Sequence, residues 1–439
     1  MTPQETMKKF LDENKFEEFP VADLTKKLMD DMTKGLAKNP DGSADSASEP
    51  MIVATRKIPH SIPKNTSVIV IDAGGTNFRS SLVTVTDDGV KIEDTQKTFM
   101  PASDRELSKE EFYNAIADNI EHLKNKATRI GFCFSYAMEI TKDGDGKVLV
   151  FSKEIKAPEV VGTYVGKELC ATLEKKGWNK IEEITLLNDT TASLLSGIIN
   201  NNGAKKYSSY MGFILGTGMN NAYIDYDVIP KVAADGDNGK EHVIVCECGL
   251  FNGATQSTFD VQLDQESVRP GMSPLEKMCS GVYMGPLAYK MIKKACEEKI
   301  FSDNFAANFA KIDCVLSPEI DDFLRNERDS STKLGALLVG GTADDKYYID
   351  TIIDQIIHRA AAIVASVLSA GILKGGKGTK ADEPVCIVCN GSTFWKTHKL
   401  YDLVVQKLDN FLSGDKKRYY EIVKVDNDIT LGTTAAAFM

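Results

Sequence analysis

Two stretches of the chain follow one plan. Residues 68–72 (VIVID) and 210–215 (YMGFIL) are short apolar runs, and each stops at paired glycines: Gly74 and Gly75 in the first, Gly216 and Gly218 in the second. Apolar runs of that length, rich in β-branched or aromatic residues and bounded by glycine, read as β-strands. A returning strand follows each turn (residues 80–85 and 221–228), and then a third strand (91–99 and 243–248). Beyond each trio the signals alternate between helix and strand. The first unit has helices over 109–126 and 160–176 with strands at 129–135 and 184–187. The second has helices over 274–298 and 345–373 with a strand at 385–389. A helix starts at 190, a short one from 431 closes the chain, and residues 3–37 carry amphipathic helical spacing ahead of a loop at 39–50. Architecture repeated without repeated sequence predicts an α/β protein of two lobes, with mixed sheets flanked by helices and a cleft between them.

Composition allows this and excludes other classes. In 439 residues, 42% apolar and 26% charged is ordinary for a globular protein with more than one core. The formal charge of −11 repels phosphate backbones and anionic lipid, so neither nucleic acid nor membrane is an expected partner. The apolar run at 360–373 is shorter than the roughly 20 residues a membrane span needs and reads as a buried helix. The acidic first twenty residues lack a signal or transit pattern, and nine scattered cysteines suit reduced thiols, so a cytoplasmic protein is expected. Cys386 and Cys389 fit C-x-x-C but lie in an apolar strand, where buried structural thiols are the expectation.

The glycine turns point to phosphate. In IDAGGTNFR (71–79), Gly74 and Gly75 let backbone N–H groups approach an anion closely, and Thr76, Asn77 and Arg79 add donors. Asp72 stands at the strand end, where a carboxylate can hold Mg²⁺ through water. Alone this is a hairpin with a solvent arginine. A second turn at the matching point, Gly216, Thr217 and Gly218, makes a pair that would grip a polyphosphate from both sides. Other nucleotide signatures are missing: residues 371–378 (GILKGGKG) follow a helix and end in glycine rather than Ser or Thr, and no G-x-G-x-x-G opens a helix. The acids at 143–154 resemble a calcium loop but place Lys147 and Val148 where a ligand and glycine belong.

A set of polar residues at element ends suits a polyhydroxyl ligand. Asn188 and Asp189 follow a strand and open a helix, where Asp189 could act as a cap. Glu247 lies in the apolar run 243–248, a costly place for a carboxylate without hydrogen-bond donors. Glu276 begins a helix, where an acid is welcome anyway. Ser135 ends a strand, and Ser152 and Lys153 follow another.

IDAGGTNFR, FSY, LNDTT, GTGMNNAY, ECGLFNG, PGMSPLEKMCSGVYMG, NGS and LGTTAAA occur in the order seen in the eukaryotic-type hexokinases, and the chain resembles a single catalytic unit of that family from about residue 25 to the end. The resemblance implies two ribonuclease H-like lobes of the actin-like ATPase type: 1–63 with 189–430 as the large lobe, 64–188 with 431–439 as the small one. It implies ATP and Mg²⁺ held by Asp72, Gly74, Gly75, Thr76, Asn77 and Arg79, by Gly216, Thr217 and Gly218, by Gly391 and Ser392 on the adenosine side, and by Gly432. It implies a hexose, glucose first, held by Ser135, Ser152, Lys153, Asn188, Asp189, Asn220, Glu247 and Glu276. Asp189 is then the catalytic base with Lys153 beside it, Asp72 and Asp189 reach the metal through water, and the protein is a monomer or homodimer. Three positions depart from the family pattern: Ala137 replaces the usual Pro, Ser152 followed by Lys153, Glu154 and Ile155 replaces Thr-Lys-Gly-Phe, and Asn390 replaces the Asp that usually opens the adenosine motif. Two rival readings are a non-kinase actin-like or chaperone-like ATPase and a sugar sensor without turnover.

Overall fold

The computed structural model describes residues 1–37, 52–54, 58–59, 62–75, 77–151, 155–201, 203–233, 239–326 and 329–439. Along the chain the strands are β1 (Ile52–Ala54), β2 (Thr66–Gly74), β3 (Asn77–Thr86), β4 (Gly89–Phe99), β5 (Arg129–Phe134), β6 (Ala137–Ile140), β7 (Gly146–Val150) and β8 (Glu183–Leu187). They continue with β9 (Ser209–Leu215), β10 (Met219–Asp225), β11 (His242–Val245), β12 (Val385–Asn390) and β13 (Tyr420–Val423).

The two sheets share one topology. The first has the order β4-β3-β2-β5-β8 and the second β1-β11-β10-β9-β12-β13. In each, three strands form an antiparallel meander and two more add in parallel to the first strand of that meander. The expected repeat is therefore a repeat of strand order, with β1 added at one edge. Each sheet has its own apolar core: Phe112, Phe132, Phe134, Leu169 and Leu173 belong to the first, and Phe213, Phe259, Leu287, Ile353 and Ile363 to the second.

Two helices join the units. Asp189–Asn201 follows β8 but packs on β9 and β12 of the other sheet. Asp428–Ala436 follows β13 but packs on β2, β5 and β8. Each helix has thus crossed to the opposite sheet, and the two pack against each other. Glycine makes these contacts close. A Cβ on Gly432 would lie 1.7 Å from the Ala192 carbonyl oxygen, one on Gly131 of β5 2.3 Å from that of Thr433, and one on Gly212 of β9 2.3 Å from that of Thr190.

The large core is built around the helix Ala343–Gly375. A capping box starts it: Asp345 N–H donates to Thr342 Oγ1 (3.2 Å) and Thr342 N–H donates back to Asp345 Oδ2 (2.6 Å). Gly376, with φ of 66°, ends it. The helix is long and apolar enough to cross a membrane, but 89% of its most apolar window is buried inside the protein. The expected buried helix is thus present and longer than its apolar run. Arg359, at mid-helix, is fully buried in a two-pronged ion pair with Asp260 (2.7 and 2.8 Å), and its guanidinium lies 4.0 Å from the ring centre of Phe16. That contact fastens the amino-terminal segment to the core.

The structure corrects several element bounds. The helix expected over 109–126 ends at Asn119, and the one over 160–176 starts at Val165. The latter's first turn is held by Asp145, which accepts from Gly166 N–H (2.6 Å) and Lys167 N–H (2.9 Å), so that acid anchors a helix. The helix over 274–298 is two pieces, Pro274–Lys277 and Met284–Glu297. All nine cysteines are free, and Cys386 and Cys389 are buried on opposite faces of β12, in different apolar clusters.

Candidate active site

The first glycine turn is the β2–β3 hairpin, where Asp72 faces Arg79 and Gly74 faces Asn77 in register. Gly75 takes a left-handed φ of 60°, open to glycine at little cost. The segment after β5 pins this turn from below. Ser135 N–H donates to Ala73 O (3.0 Å), Tyr136 Oη donates to Gly75 O (2.7 Å), and a Cβ on Gly74 would come within 2.9 Å of Ser135 Oγ. Asn77 and Arg79 are exposed, as donors for a ligand must be. Thr76, like Ser152 and Lys153, lies outside the described residues.

The second turn is the β9–β10 hairpin. Gly216 N–H donates to Gly218 O (2.9 Å). Both leading carbonyls are tied from behind: Gly216 O accepts from Gly281 N–H (2.8 Å) and Thr393 Oγ1 (2.8 Å), and Thr217 O accepts from Ser280 Oγ (2.8 Å). This explains why the helix over 274–298 is broken: Ser280 and Gly281 leave the helix to hold the turn. Thr217 itself is exposed. Gly391, with φ of 111°, abuts the same turn, since a Cβ there would lie 2.0 Å from Leu215 O, and Ser392 is exposed beside it.

The polyhydroxyl set gathers next to these turns. Asn188 caps the helix Asp189–Asn201: its Oδ1 accepts from Thr190 N–H (2.8 Å) and its carbonyl from Ala192 N–H (3.0 Å). The capping role considered for Asp189 therefore belongs to its neighbour. Asp189 is the first residue of the helix, half-buried, with Thr190 Oγ1 donating to its Oδ1 (3.1 Å). Asn220 Nδ2 donates to Glu247 Oε1 (3.1 Å), and Met219 N–H donates to Glu276 Oε2 (2.9 Å). Gly218 and Gly249 are bare where Glu276 passes, since a Cβ on either would come within 2.7 or 3.3 Å of its Oε2. Glu247 is not in a strand as expected. β11 ends at Val245, and Glu247 takes a left-handed φ of 46°, a strained conformation for a side chain of this kind.

Electrostatics shows how closely the groups are gathered. Burial pushes the Asp72 carboxyl up to about 6, Arg79 pulls it down, and the charges of Asp189 and Asp428 push it further up. Burial pushes Glu247 up to about 7, with Asp189 and Glu276 adding to the rise and the Asn220 hydrogen bond opposing it. Asp189 thus lies within electrostatic range of both Asp72 and Glu247.

Two family models described as hexokinase match this chain, one over residues 6–199 and the other over 210–439. The chain belongs to the hexokinase family. Among curated relatives it is 26% identical over 397 residues to human hexokinase-2, covering 85% of this chain and 42% of that one. It is 29% identical over 289 residues to hexokinase-1 of Schizosaccharomyces pombe (63% and 57%) and 32% identical over 254 residues to the hexokinase of Schwanniomyces occidentalis (54% and 52%). The chain therefore spans about half the length of the curated relatives it matches. Among solved structures, a Schistosoma mansoni hexokinase complexed with glucose superposes with a TM-score of 0.78 at 22% identity, covering 100% of this chain and 99% of that one. A second hexokinase crystal structure gives 0.78 at 20%, with full coverage of both. At these identities the likeness is one of fold, and it is the two-lobed α/β fold expected.

Several working parts of this hexokinase-family site escape a reading of the sequence. Lys277, next to Glu276, is buried and donates to Asp264 Oδ1 (2.5 Å), Ser267 Oγ (2.8 Å) and Arg269 O (2.8 Å), and Asp264 Oδ2 accepts from Gly271 N–H (2.8 Å). This clasp fixes the short helix that presents Glu276. Gly432 sits in the helix crossing, against Ala192, where the resemblance implies a nucleotide contact. Asp428 joins the acidic cluster from the last helix. Among the described residues no three His, Cys, Asp or Glu side chains form a metal-binding group. Asp72 and Asp189 nonetheless repel one another, a pair that suits a cation keeping most of its water and meeting protein charge at a distance.

Proposed function

We propose that this protein is an ATP-dependent hexokinase, transferring the terminal phosphoryl group of ATP to the 6-hydroxyl of a hexose, with glucose the first choice. The lobes are assigned as 1–63 with 189–430 and 64–188 with 431–439. The observation that carries the reading is the position of Asp189. It heads the helix that leaves the small sheet for the large one, it is relieved of capping by Asn188, and its charge reaches both Asp72 and Glu247.

In this reading the ring hydroxyls are held by Asn220, Glu247 and Glu276, with Ser135, Ser152, Lys153 and Asn188 from the other lobe. Hydroxyl donors favour the ionised form of Glu247, which burial alone resists. A sugar lacking a hydroxyl leaves a buried acceptor unpaired, and the site rejects it. Asp189 accepts the 6-hydroxyl proton as the oxygen bonds to phosphorus and the bond to the ADP oxygen breaks. Thr217 and the backbone N–H groups of both glycine turns donate to phosphate oxygens, while Gly391 and Ser392 lie on the adenosine side. Magnesium, when bound with ATP, supplies charge neutralisation at the β and γ oxygens. Closure of the lobes on the sugar excludes water as a rival nucleophile. Nine free thiols suit a reducing compartment such as the cytoplasm, where the product would enter glycolysis.

The test is ADP formation from Mg-ATP with and without glucose, mannose, fructose or glucosamine. Hexose-dependent ADP formation that Asp189→Ala abolishes is expected. ADP formation indifferent to every hexose would favour an ATPase of the same fold, and hexose binding without ADP would favour a sensor.

A further inference from the structure

Asp428 is buried at the start of the last helix, and it is the acceptor for donors from two other elements. Asn390 Nδ2 donates to both of its carboxylate oxygens (2.7 Å each), and Ser193 Oγ donates to Oδ2 (2.9 Å). Asn390 is the last residue of β12 and is followed by Gly391 and Ser392. Ser193 lies one turn into the helix that Asp189 opens. One carboxylate therefore fastens the end of the adenosine-side strand to the helix that carries the proposed base. An aspartate at 390 would face Asp428 carboxylate to carboxylate at hydrogen-bond distance, whereas the amide present there donates.

We infer that Asp428 is a positioning residue for the nucleotide half of the site: it sets the Gly391–Ser392 turn through Asn390. This rests on the proposed ATP site but not on hexose turnover. Exchanging the two side chains, Asn390→Asp with Asp428→Asn, keeps one carboxylate and one amide in contact. Either change alone leaves two carboxylates or two amides face to face.

ATP binding has a readout that does not require catalysis. Trp395 donates its indole N–H to Cys389 O (2.9 Å) and lines a cavity of about 240 Å³ with Gly391 and Ser392. The chain's other tryptophan, Trp178, is removed by Trp178→Phe. In that background, Mg-ATP is titrated by tryptophan fluorescence against the unaltered chain, D428N, N390D and the exchanged pair, and both substrate KM values are measured. N390D is expected to weaken ATP binding by about tenfold or more and D428N by several-fold, with the exchanged pair back within about threefold, because the contact and not either residue carries the effect. The hexose KM should move less than about twofold, which a general loosening of the fold would not respect. An exchanged pair as weak as the two single changes combined overturns the inference, as does D428N binding ATP like the unaltered chain, or no fluorescence response to ATP in the unaltered chain. ATP binding with no hexose-dependent turnover sinks the hexokinase proposal and leaves the fluorescence comparison to decide Asp428.

Discussion

A methyl group at Gly432 tests how the two crossing helices are fitted together. Its carbon would lie 1.7 Å from the Ala192 carbonyl oxygen, 2.4 Å from the carbonyl carbon and 2.7 Å from Cα, whereas ordinary contact begins near 3.4 Å. The obstacle is backbone, so no rotamer change relieves it. Neither helix has room to retreat, because the Thr433 and Thr190 carbonyl oxygens lie 2.3 Å from where a Cβ on Gly131 and on Gly212 would stand. One overpacked methyl costs about 1–3 kcal/mol where side chains can shift, and more where backbone must. The gain from alanine over glycine in a helix returns at most ~1 kcal/mol. A net loss of at least about 2 kcal/mol follows, and at roughly 2 °C per kcal/mol for a large domain the melting temperature of Gly432→Ala should fall by at least about 4 °C. Asp189 lies one turn before Ala192 on the displaced helix, so kcat should fall at least tenfold, since about 1 Å of misplacement can cost ~10² in rate. Gly216→Ala is the control. Among the described residues its Cβ would meet only the Gly391 Cα, at 3.8 Å, so it should melt with the unaltered chain and lose ATP affinity instead. Scanning calorimetry and a coupled ADP assay measure both. A Gly432→Ala protein that melts and turns over normally would refute the close-crossing argument.

Three further outcomes are expected. Asp189→Asn should lower kcat by ~10² or more with the hexose KM little changed, and near-normal turnover in a coupled assay would remove it as the base. Glu247 and Asp72 have carboxyls raised to about 7 and about 6, so the folded chain holds protons there that the unfolded chain has already lost. Their stabilisation is full below the unfolded values near 4 and is lost as pH rises through about 6 to 7, so the melting advantage of Glu247→Gln over the unaltered, ligand-free chain should grow across that interval, and a constant difference would contradict the assignment. Asp264→Asn leaves Lys277 charged and buried without its carboxylate, so the hexose KM should rise several-fold with the ATP KM unchanged; equal shifts in both would show that the clasp does not act through Glu276.

What could be read from the sequence was whatever local pattern dictates. The strands beside the glycine turns were legible because β-branched runs stop at residues that only a turn tolerates, and β2, β3, β9 and β12 lie within a few residues of expectation. The helix at Ala343–Gly375 was legible over 345–373, within two residues of each end. Its amino-terminal half carries four aspartates and one lysine among its isoleucines, and its start is set by the Thr342 and Asp345 cap. Tertiary demands decided the misses. The break at Ser280 and Gly281 exists because those residues bond the β9–β10 turn, 63 residues away in sequence for Ser280 and Thr217. Glu247 leaves its strand to meet Asn220. No periodicity encodes either contact. Gly131, Gly212 and Gly432 look like ordinary helix and strand glycines, and only the crossing shows that a Cβ has nowhere to go.

The site residues divide by how their hydrogen bonds are supplied, and that division bears on mechanism. Asp428 has three donor contacts from side chains of its own chain, and these oppose the burial that raises its carboxyl, so much of its acceptor capacity is taken before any ligand arrives. Among the described residues Glu247 has one such contact, from Asn220, and burial wins, pushing its carboxyl up to about 7. A carboxylate already satisfied has little to gain from a substrate hydroxyl and so acts best as a fixture. A carboxylate short of donors gains most when a hydroxyl arrives, and it gives up its proton as it does so. Sugar binding in this reading should therefore release protons between pH 6 and 7.5, an effect visible as a buffer-dependent heat in titration calorimetry. The release should vanish in Glu247→Gln and persist in Asp428→Asn. Persistence in the first variant would mean that the proton comes from elsewhere, and Asp189 would be the next group to test.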